Sequence, residues 1–217
     1  MEKILKDKLS KTLFHGTLMD RAENILKNGI DFSLLNDKAD FAKGFYVTDS
    51  YALAENTAKT RYVQEKMSNK GIASPPVVIR FTVNLLNYKY ELKIKEFYGD
   101  TKEWRKFVCV NRWYDKLLKI NPEYDNNTDK RYDIVIGLTA DGKMSNINKL
   151  MRQDKYNLSD EFLKNVNPII HSYPKHTNGK IINVKTKSYQ ISFHNEEFVK
   201  SCIKYKSYDI IRLEERR

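Results

Sequence analysis

The stretch Gly44-Phe45-Tyr46-Val47-Thr48-Asp49-Ser50, with the run from Tyr51 to Tyr62 behind it, decides how this chain is read. Phe45 to Thr48 has the aromatic and β-branched composition of a short strand. Asp49 or Ser50 offers a side-chain oxygen suited to capping a helix, which then runs through Ala52, Ala54, Ala58 and Tyr62. A strand is thus delivered directly into a helix, with Tyr46 on the strand facing either core or cleft.

The same arrangement stands upstream. Lys11 to His15 reads as a short strand ended by Gly16, and Asp20 can cap a helix with Ala22, Ile25 and Leu26 at helical spacing and Gly29 as its left-handed stop. Asn36 to Lys43 is a polar loop. Downstream, Lys70 to Pro76 is rich in breakers, and PVVIRFTVNLL from Pro76 is the clearest strand in the chain. Thr101 precedes a helical pattern of Trp104, Phe107, Val108 and Asn111. The polar tract Asn121 to Lys130 leads to a strand from Tyr132 to Gly137, and helices follow around Asn146 to Arg152 and Ser159 to Val166. HSYPKHTNGK, from His171, reads as a loop; Gln190 lies on an alternating strand, Asn195-Glu196-Glu197 starts a helix, and Tyr208 to Leu213 is a last strand. Strands broken by single helices, without a regular βαβ rhythm, predict an α+β fold.

Composition sets the bounds. At 217 residues, with 41% hydrophobic and 12% aromatic side chains, the chain fits one globular domain over residues 1–217. MEKILKDKLSK at the start has no continuous apolar stretch, so neither a signal peptide nor a membrane anchor is expected there. Cys109 and Cys202 form no CxxC pair and sit in apolar runs, the pattern of two buried free thiols in a reducing cytoplasm. The net charge of +11 attracts polyanions, but it divides almost evenly, 19 basic against 14 acidic residues up to Val110 and 20 against 14 after it. One segment stands apart: Phe162 to Asn195 carries Lys164, Lys175, Lys180, Lys185 and Lys187 with no Asp or Glu, interleaved with His171, Tyr173, His176 and Tyr189.

Three short motifs occur in order: Phe14-His15-Gly16-Thr17, Gly44-Phe45-Tyr46-Val47-Thr48 and Tyr189-Gln190-Ile191-Ser192-Phe193. Together they resemble the His, Tyr and Glu/Gln signature of the ADP-ribosyltransferase superfamily, in its diphtheria-toxin and PARP-like branch. Phe41 to Thr48, Trp104 to Arg112, Tyr132 to Asp141 and Gln190 to His194 are further similar to a bacterial family of poorly characterised ADP-ribosyltransferase-like toxin domains. The resemblance covers roughly Leu13 to the C-terminus, with 70–98 and 113–130 its less distinctive parts, and implies a split β-sheet with surrounding helices. It implies NAD as ADP-ribose donor and no metal. It also implies that His15 bonds the adenosine ribose, the Gly16 backbone grips the nicotinamide amide, Thr17 supports the sugar, and Tyr46 stacks on the nicotinamide ring. Cleavage of the bond between nicotinamide and ribose builds positive charge on the sugar, so geometry and electrostatics carry most of such a reaction.

Two departures weaken the match. Many relatives carry a second aromatic about eleven residues after the strand tyrosine, where this chain has Thr57; Tyr51 and Tyr62 are the nearby substitutes. The third motif holds Gln190, whose amide can orient a ribose but cannot accept a proton or offset charge. Glu196 and Glu197 read better as first-turn acids of a helix than as a replacement base. Arg112 is a candidate contact for the NAD diphosphate or a structural ion pair, and Asp141 a candidate or a simple turn. His171 and His176 lack companions at metal-ligand spacing, and no HExxH, Walker or GxSxG motif is present.

The first expectation is therefore a mono-ADP-ribosyltransferase of the toxin or phage-defence kind, acting inside the cell, with an antitoxin protein as a candidate partner. RNA or DNA is the favoured acceptor, bound through Lys175, Lys180, Tyr173 and His176 ahead of Gln190, with protein as the second choice. The competing expectation is a catalytically weak nucleic-acid-binding module that keeps only the fold.

Overall fold

A computed structural model describes residue 9 and residues 12–85, 90–140, 144–177 and 180–213, the side chains of 144–146 and 171–186 excepted. Among the described residues there are seven helices and nine strands, a mixed α+β protein as the sequence predicts. The chain divides into two compact units, one of residues 1–34, 45–91 and 195–217, the other of residues 35–44 and 92–194. Among the described residues no helix is long and apolar enough to cross a membrane.

The first unit is built on an antiparallel sheet in the order β1 (Leu13–Leu18), β3 (Pro76–Val83), β9 (Ile203–Ile210). His15 lies opposite Ile79 and Gly16 opposite Val78. Strand β2 (Phe45–Val47) meets β1 through a pair of hydrogen bonds, Phe14 N–H to Thr48 O at 2.7 Å and Thr48 N–H to Phe14 O at 2.9 Å. Helix α1 (Met19–Asn28) follows β1 without a break. Its N-cap is Leu18 rather than the expected Asp20, which sits in the first turn and whose N–H is taken by Ser74 Oγ. Gly29 ends it at φ 80°, the positive φ that suits glycine. Helix α2 (Tyr51–Ser68) is capped by Ser50, which accepts from Leu53 N–H at 3.2 Å.

The second unit sets β5 (Ile134–Leu138) between β8 (Tyr189–Phe193), antiparallel, and β4 (Ile94–Glu96), parallel. Every residue of β5 is buried, the mark of a central strand. Helix α3 (Lys102–Arg112), capped by Thr101, packs Trp104, Phe107, Val108 and Asn111 inward, all four of the positions its periodicity selects. The aromatic cluster of Phe41, Phe97 and Phe107 has centroids 5.0 to 6.2 Å apart. A Cβ on Gly137 would come within 2.9 Å of the Phe41 ring, so the glycine of the Tyr132–Gly137 stretch is a packing requirement. Three shorter helices, α4 (Tyr114–Ile120), α5 (Met144–Gln153) and α6 (Asp160–Leu163), complete the unit.

The expected loop from His171 to Lys180 is corrected by the structure. Ile170–Thr177 and Lys180–Lys187 form an antiparallel hairpin, β6 and β7, with Thr177 opposite Lys180 at its tip. Asn178-Gly179, the two residues between them in sequence, is the dipeptide that most strongly signals a tight hairpin. The lysines and aromatics obscured that signal. The final helix, α7 (Glu196–Cys202), belongs to the first unit and is capped by Asn195, which accepts from Phe198 N–H at 2.9 Å. Cys109 and Cys202 are both free and buried, as read from the sequence.

Candidate functional site

The first two motifs meet in the first unit. The Nδ1–H of His15 donates to the Tyr46 carbonyl at 2.6 Å, and its ring lies 4.9 Å from that of Phe45. A carbonyl can only accept, so Nδ1 carries the proton and the neutral ring presents Nε2 as an acceptor. An N–H of Arg61 stands 3.4 Å from that nitrogen. Burial and the Arg61 charge push the His15 pKa down to about 3, against the smaller upward pull of the Tyr46 carbonyl. His15 is therefore held as a neutral hydrogen-bond acceptor across the physiological range.

Gly16 has a reason of its own. A Cβ there would lie 1.8 Å from the carbonyl oxygen of Ala54, so only glycine lets α2 approach β1 this closely. Thr17 is 1% exposed and lies opposite Val77 in the sheet. Tyr46 is half-buried on β2. At the position of the missing second aromatic, the Thr57 hydroxyl donates to Leu53 O at 2.9 Å along its own helix. Tyr51 packs edge-on against Phe14 at 5.4 Å and carries the Arg80 guanidinium over its ring at 5.6 Å. The Tyr62 ring carries Lys66 at 5.8 Å.

The third motif lies in the second unit, in a network the sequence reading missed. Gln190 Nε2 donates to Asp40 Oδ2 at 2.7 Å. The same Asp40 oxygen accepts the Ala140 N–H at 3.0 Å, and Oδ1 accepts Arg112 Nε–H at 2.6 Å, with a second ion-pair contact to the other end of the guanidinium. Asp40 is 4% exposed and Gln190 8%. Arg112 is thus engaged in the ion pair that stood as its alternative, and the Gln190 amide nitrogen bonds a buried carboxylate. Nothing in the periodicity around Asp40 marks it; its one signal is that it directly precedes the Phe41 to Thr48 motif.

The remaining motif residues of this unit are packing devices. His194 donates from Nδ1 to Lys43 O at 2.9 Å and accepts from the Ser192 hydroxyl at Nε2, 2.8 Å away. Ser192 and His194 are 0% and 1% exposed, which makes the pair a structural tie rather than a nucleophile with its base. Burial lowers the His194 pKa to about 4. A Cβ on Gly44 would strike the His194 ring at 2.7 Å. Asn111 donates to Phe107 O and accepts the Asn127 N–H, both at 2.8 Å, pinning the polar tract before β5.

Other sequence candidates resolve as follows. Glu196 and Glu197 occupy the first turn of α7, and Glu196 pairs with Lys200 at 2.7 Å, in keeping with their reading as helix-start acids. Lys187 reaches Asp100 at 3.5 Å. Tyr173, Lys175, His176 and Lys180 take register positions on the β6–β7 hairpin, opposite Val184, Ile182, Ile181 and Thr177. Asp141 lies outside the described residues.

These features define an α+β protein in which buried side chains tie short motifs to their strands. The chain belongs to the family of proteins of unknown function DUF3990, which matches residues 12–205. No curated protein and no solved structure matches it.

Proposed function

We propose that this protein is a mono-ADP-ribosyltransferase that uses NAD to modify a macromolecule, with RNA or DNA as the favoured acceptor. The observation that carries the reading is the hydrogen bond from His15 to the Tyr46 carbonyl, which joins two motifs 31 residues apart and leaves Nε2 as an acceptor. A ribose hydroxyl can donate to such a nitrogen in place of the long Arg61 contact, the role that the resemblance to the ADP-ribosyltransferase superfamily gives His15. Tyr46 and Gln190 each stand on a strand, as that resemblance requires. The lysines of the β6–β7 hairpin supply the attraction for a phosphate backbone. A toxin or defence role, countered by an antitoxin, is part of the same proposal.

Incubation with NAD labelled in the adenine, followed by mass spectrometry of nucleic acid and protein, tests the reading. Transfer of ADP-ribose to RNA or DNA is expected, lost in His15→Ala. Absence of both transfer and nicotinamide release from a folded protein defeats it.

A second reading has its own support. Gln190 holds no negative charge and its amide nitrogen bonds Asp40, which suits a nucleic-acid-binding module with weak catalysis or none. Salt-sensitive binding of single-stranded RNA without nicotinamide release would favour that reading.

A further inference from the structure

Among the described residues Arg61 is a cation without an anion. It lies on α2, half-buried, and its one hydrogen bond among the described residues is to the neutral ring of His15 at 3.4 Å. A guanidinium carries five N–H donors in a plane, so most of its bonding capacity is unanswered. Around it is an open depression of about 330 Å³ lined by Arg21, Arg61, Gln64, Glu65, Ser68 and Asn69. The single carboxylate of this lining, Glu65, is taken by Arg21 at 2.6 Å. The Arg21 and Glu65 charges cancel, and the Arg61 charge does not. Burial and the proximity of Arg21 lower the Arg61 pKa to about 10, so the site holds this charge at a cost that a bound anion would relieve.

We infer that the depression beside His15 is a phosphate-binding subsite in which Arg61, supported by the side-chain amides of Gln64 and Asn69, holds a phosphate group of a dinucleotide. The choice of ligand rests on the proposed function. If His15 Nε2 meets the adenosine ribose, a phosphate on that ribose falls within reach of a guanidinium 3.4 Å from the same nitrogen. Two phosphates have that chemistry, the 5′ diphosphate common to NAD and ADP-ribose and the 2′ phosphate peculiar to NADP. Planar bidentate recognition of phosphate favours arginine over lysine at such a place. Arg112, the sequence candidate for this contact, is committed to Asp40.

The test is calorimetric titration of the full chain at pH 7.5 and low salt with pyrophosphate, adenosine, ADP-ribose, NAD and NADP. The variants are Arg61→Gln, Arg61→Lys, Arg21→Gln and Arg21→Gln/Glu65→Gln. Burial, the largest cause of the low His15 pKa, persists without Arg61, and pH 7.5 lies above even the ordinary value of 6.5, so protonation of His15 should not confound the comparison. Arg61→Gln should weaken ADP-ribose by about tenfold or more, the loss expected for a charge-assisted hydrogen bond, and leave adenosine unchanged. Arg61→Lys should fall between the two. Loss of NADP affinity with NAD and ADP-ribose little changed assigns the 2′ phosphate instead, and equal losses for all three assign the diphosphate.

Arg21→Gln leaves Arg61 intact but frees the Glu65 carboxylate, so it should also weaken pyrophosphate, and the double variant should regain most of that loss. This pair keeps the inference testable if Arg61 variants fold poorly. Wild-type binding of pyrophosphate through Arg61 with no dinucleotide binding would defeat the proposed function and leave the phosphate subsite standing. Unchanged ADP-ribose and pyrophosphate affinity in both Arg61→Gln and Arg21→Gln would overturn the subsite.

Discussion

Gln190 and Asp40, 150 residues apart, share a buried hydrogen bond of 2.7 Å in which the amide donates to a carboxylate already paired with Arg112. A glutamate at position 190 would have no proton to donate there when ionised. Two carboxylates at that distance, both nearly sealed from water, cannot both ionise cheaply. Gln190→Ala should cost about 1 to 3 kcal/mol through the lost bond to a buried carboxylate oxygen that then keeps only the Ala140 N–H. Gln190→Glu should cost more than Gln190→Ala at pH 8, and the gap should close as the pH falls. Urea titrations of both variants at pH 5 and pH 8 check this. Equal stability of Gln190→Glu and wild type at pH 8 would remove the network from the account of Gln190.

Arg112→Ala removes the only cation paired with Asp40 among the described ion pairs. Breaking a buried pair leaves an uncompensated charge, and a loss of about 3 to 5 kcal/mol is expected. Arg112→Ala/Asp40→Asn should be less destabilised than Arg112→Ala alone, since the charge that needed a partner is gone. A double-mutant cycle by chemical denaturation measures the coupling.

The two neutral histidines predict how stability varies with pH. Both have folded pKa values below the ordinary 6.5, about 3 for His15 and about 4 for His194, mainly because burial disfavours the charged ring. The unfolded chain therefore binds protons that the folded chain does not. Their stabilisation is complete above pH 6.5 and is lost as the pH falls towards those folded values. Each contributes a slope of about 1.4 kcal/mol per pH unit within its window. Denaturation midpoints should drop steeply between pH 6 and pH 4.5, and His194→Gln should remove about half of the slope. A slope unaffected by substituting either histidine would contradict the burial of neutral rings.

How far the sequence could be read follows from where each signal arises. Trp104, Phe107, Val108 and Asn111 repeat at helical spacing behind Thr101, and all four are buried on α3, because local periodicity and burial report the same thing. The caps at Ser50, Thr101 and Asn195 were equally legible, each being a contact within four residues. Asp20 was misread because a strand that runs straight into a helix leaves Leu18 at the cap. The hairpin from Ile170 to Lys187 is hard to read because lysines, aromatics and Pro174 outweigh the Asn-Gly dipeptide in that stretch of sequence. Asp40 and Arg61 were invisible for a different reason. Each owes its character to a partner between 46 and 150 residues away, and no local pattern records such a partner.

Gly16 separates a packing role from a binding role. Its absent Cβ leaves room for the Ala54 carbonyl, 1.8 Å from where the carbon would be. Gly16→Ala must force β1 and α2 apart and should cost roughly 3 kcal/mol or more, at or above the usual range for overpacking. Thermal and urea unfolding read this directly, before any ligand is added. A Gly16→Ala protein of wild-type stability would mean that α2 can move away from β1 at little cost.

The last prediction concerns the hairpin and the acceptor. Lys175 and Lys180 stand on β6 and β7 in the segment from Phe162 to Asn195 that contains no acidic residue, so a phosphate backbone passing there meets no repulsive charge from this stretch. Each phosphate neutralised releases counterions, and affinity then falls linearly with the logarithm of salt. Lys175→Glu/Lys180→Glu should weaken binding of single-stranded RNA and reduce that salt slope by about 2, one unit for each lost contact. If Tyr173 stacks an unpaired base, duplex RNA should bind less tightly than single strands. NAD consumption without acceptor should be little changed by either the salt or the substitutions. Fluorescence anisotropy across a salt series, run beside nicotinamide release, separates the two effects. Charge-reversed protein that binds RNA with the wild-type salt slope would take the hairpin out of acceptor recognition.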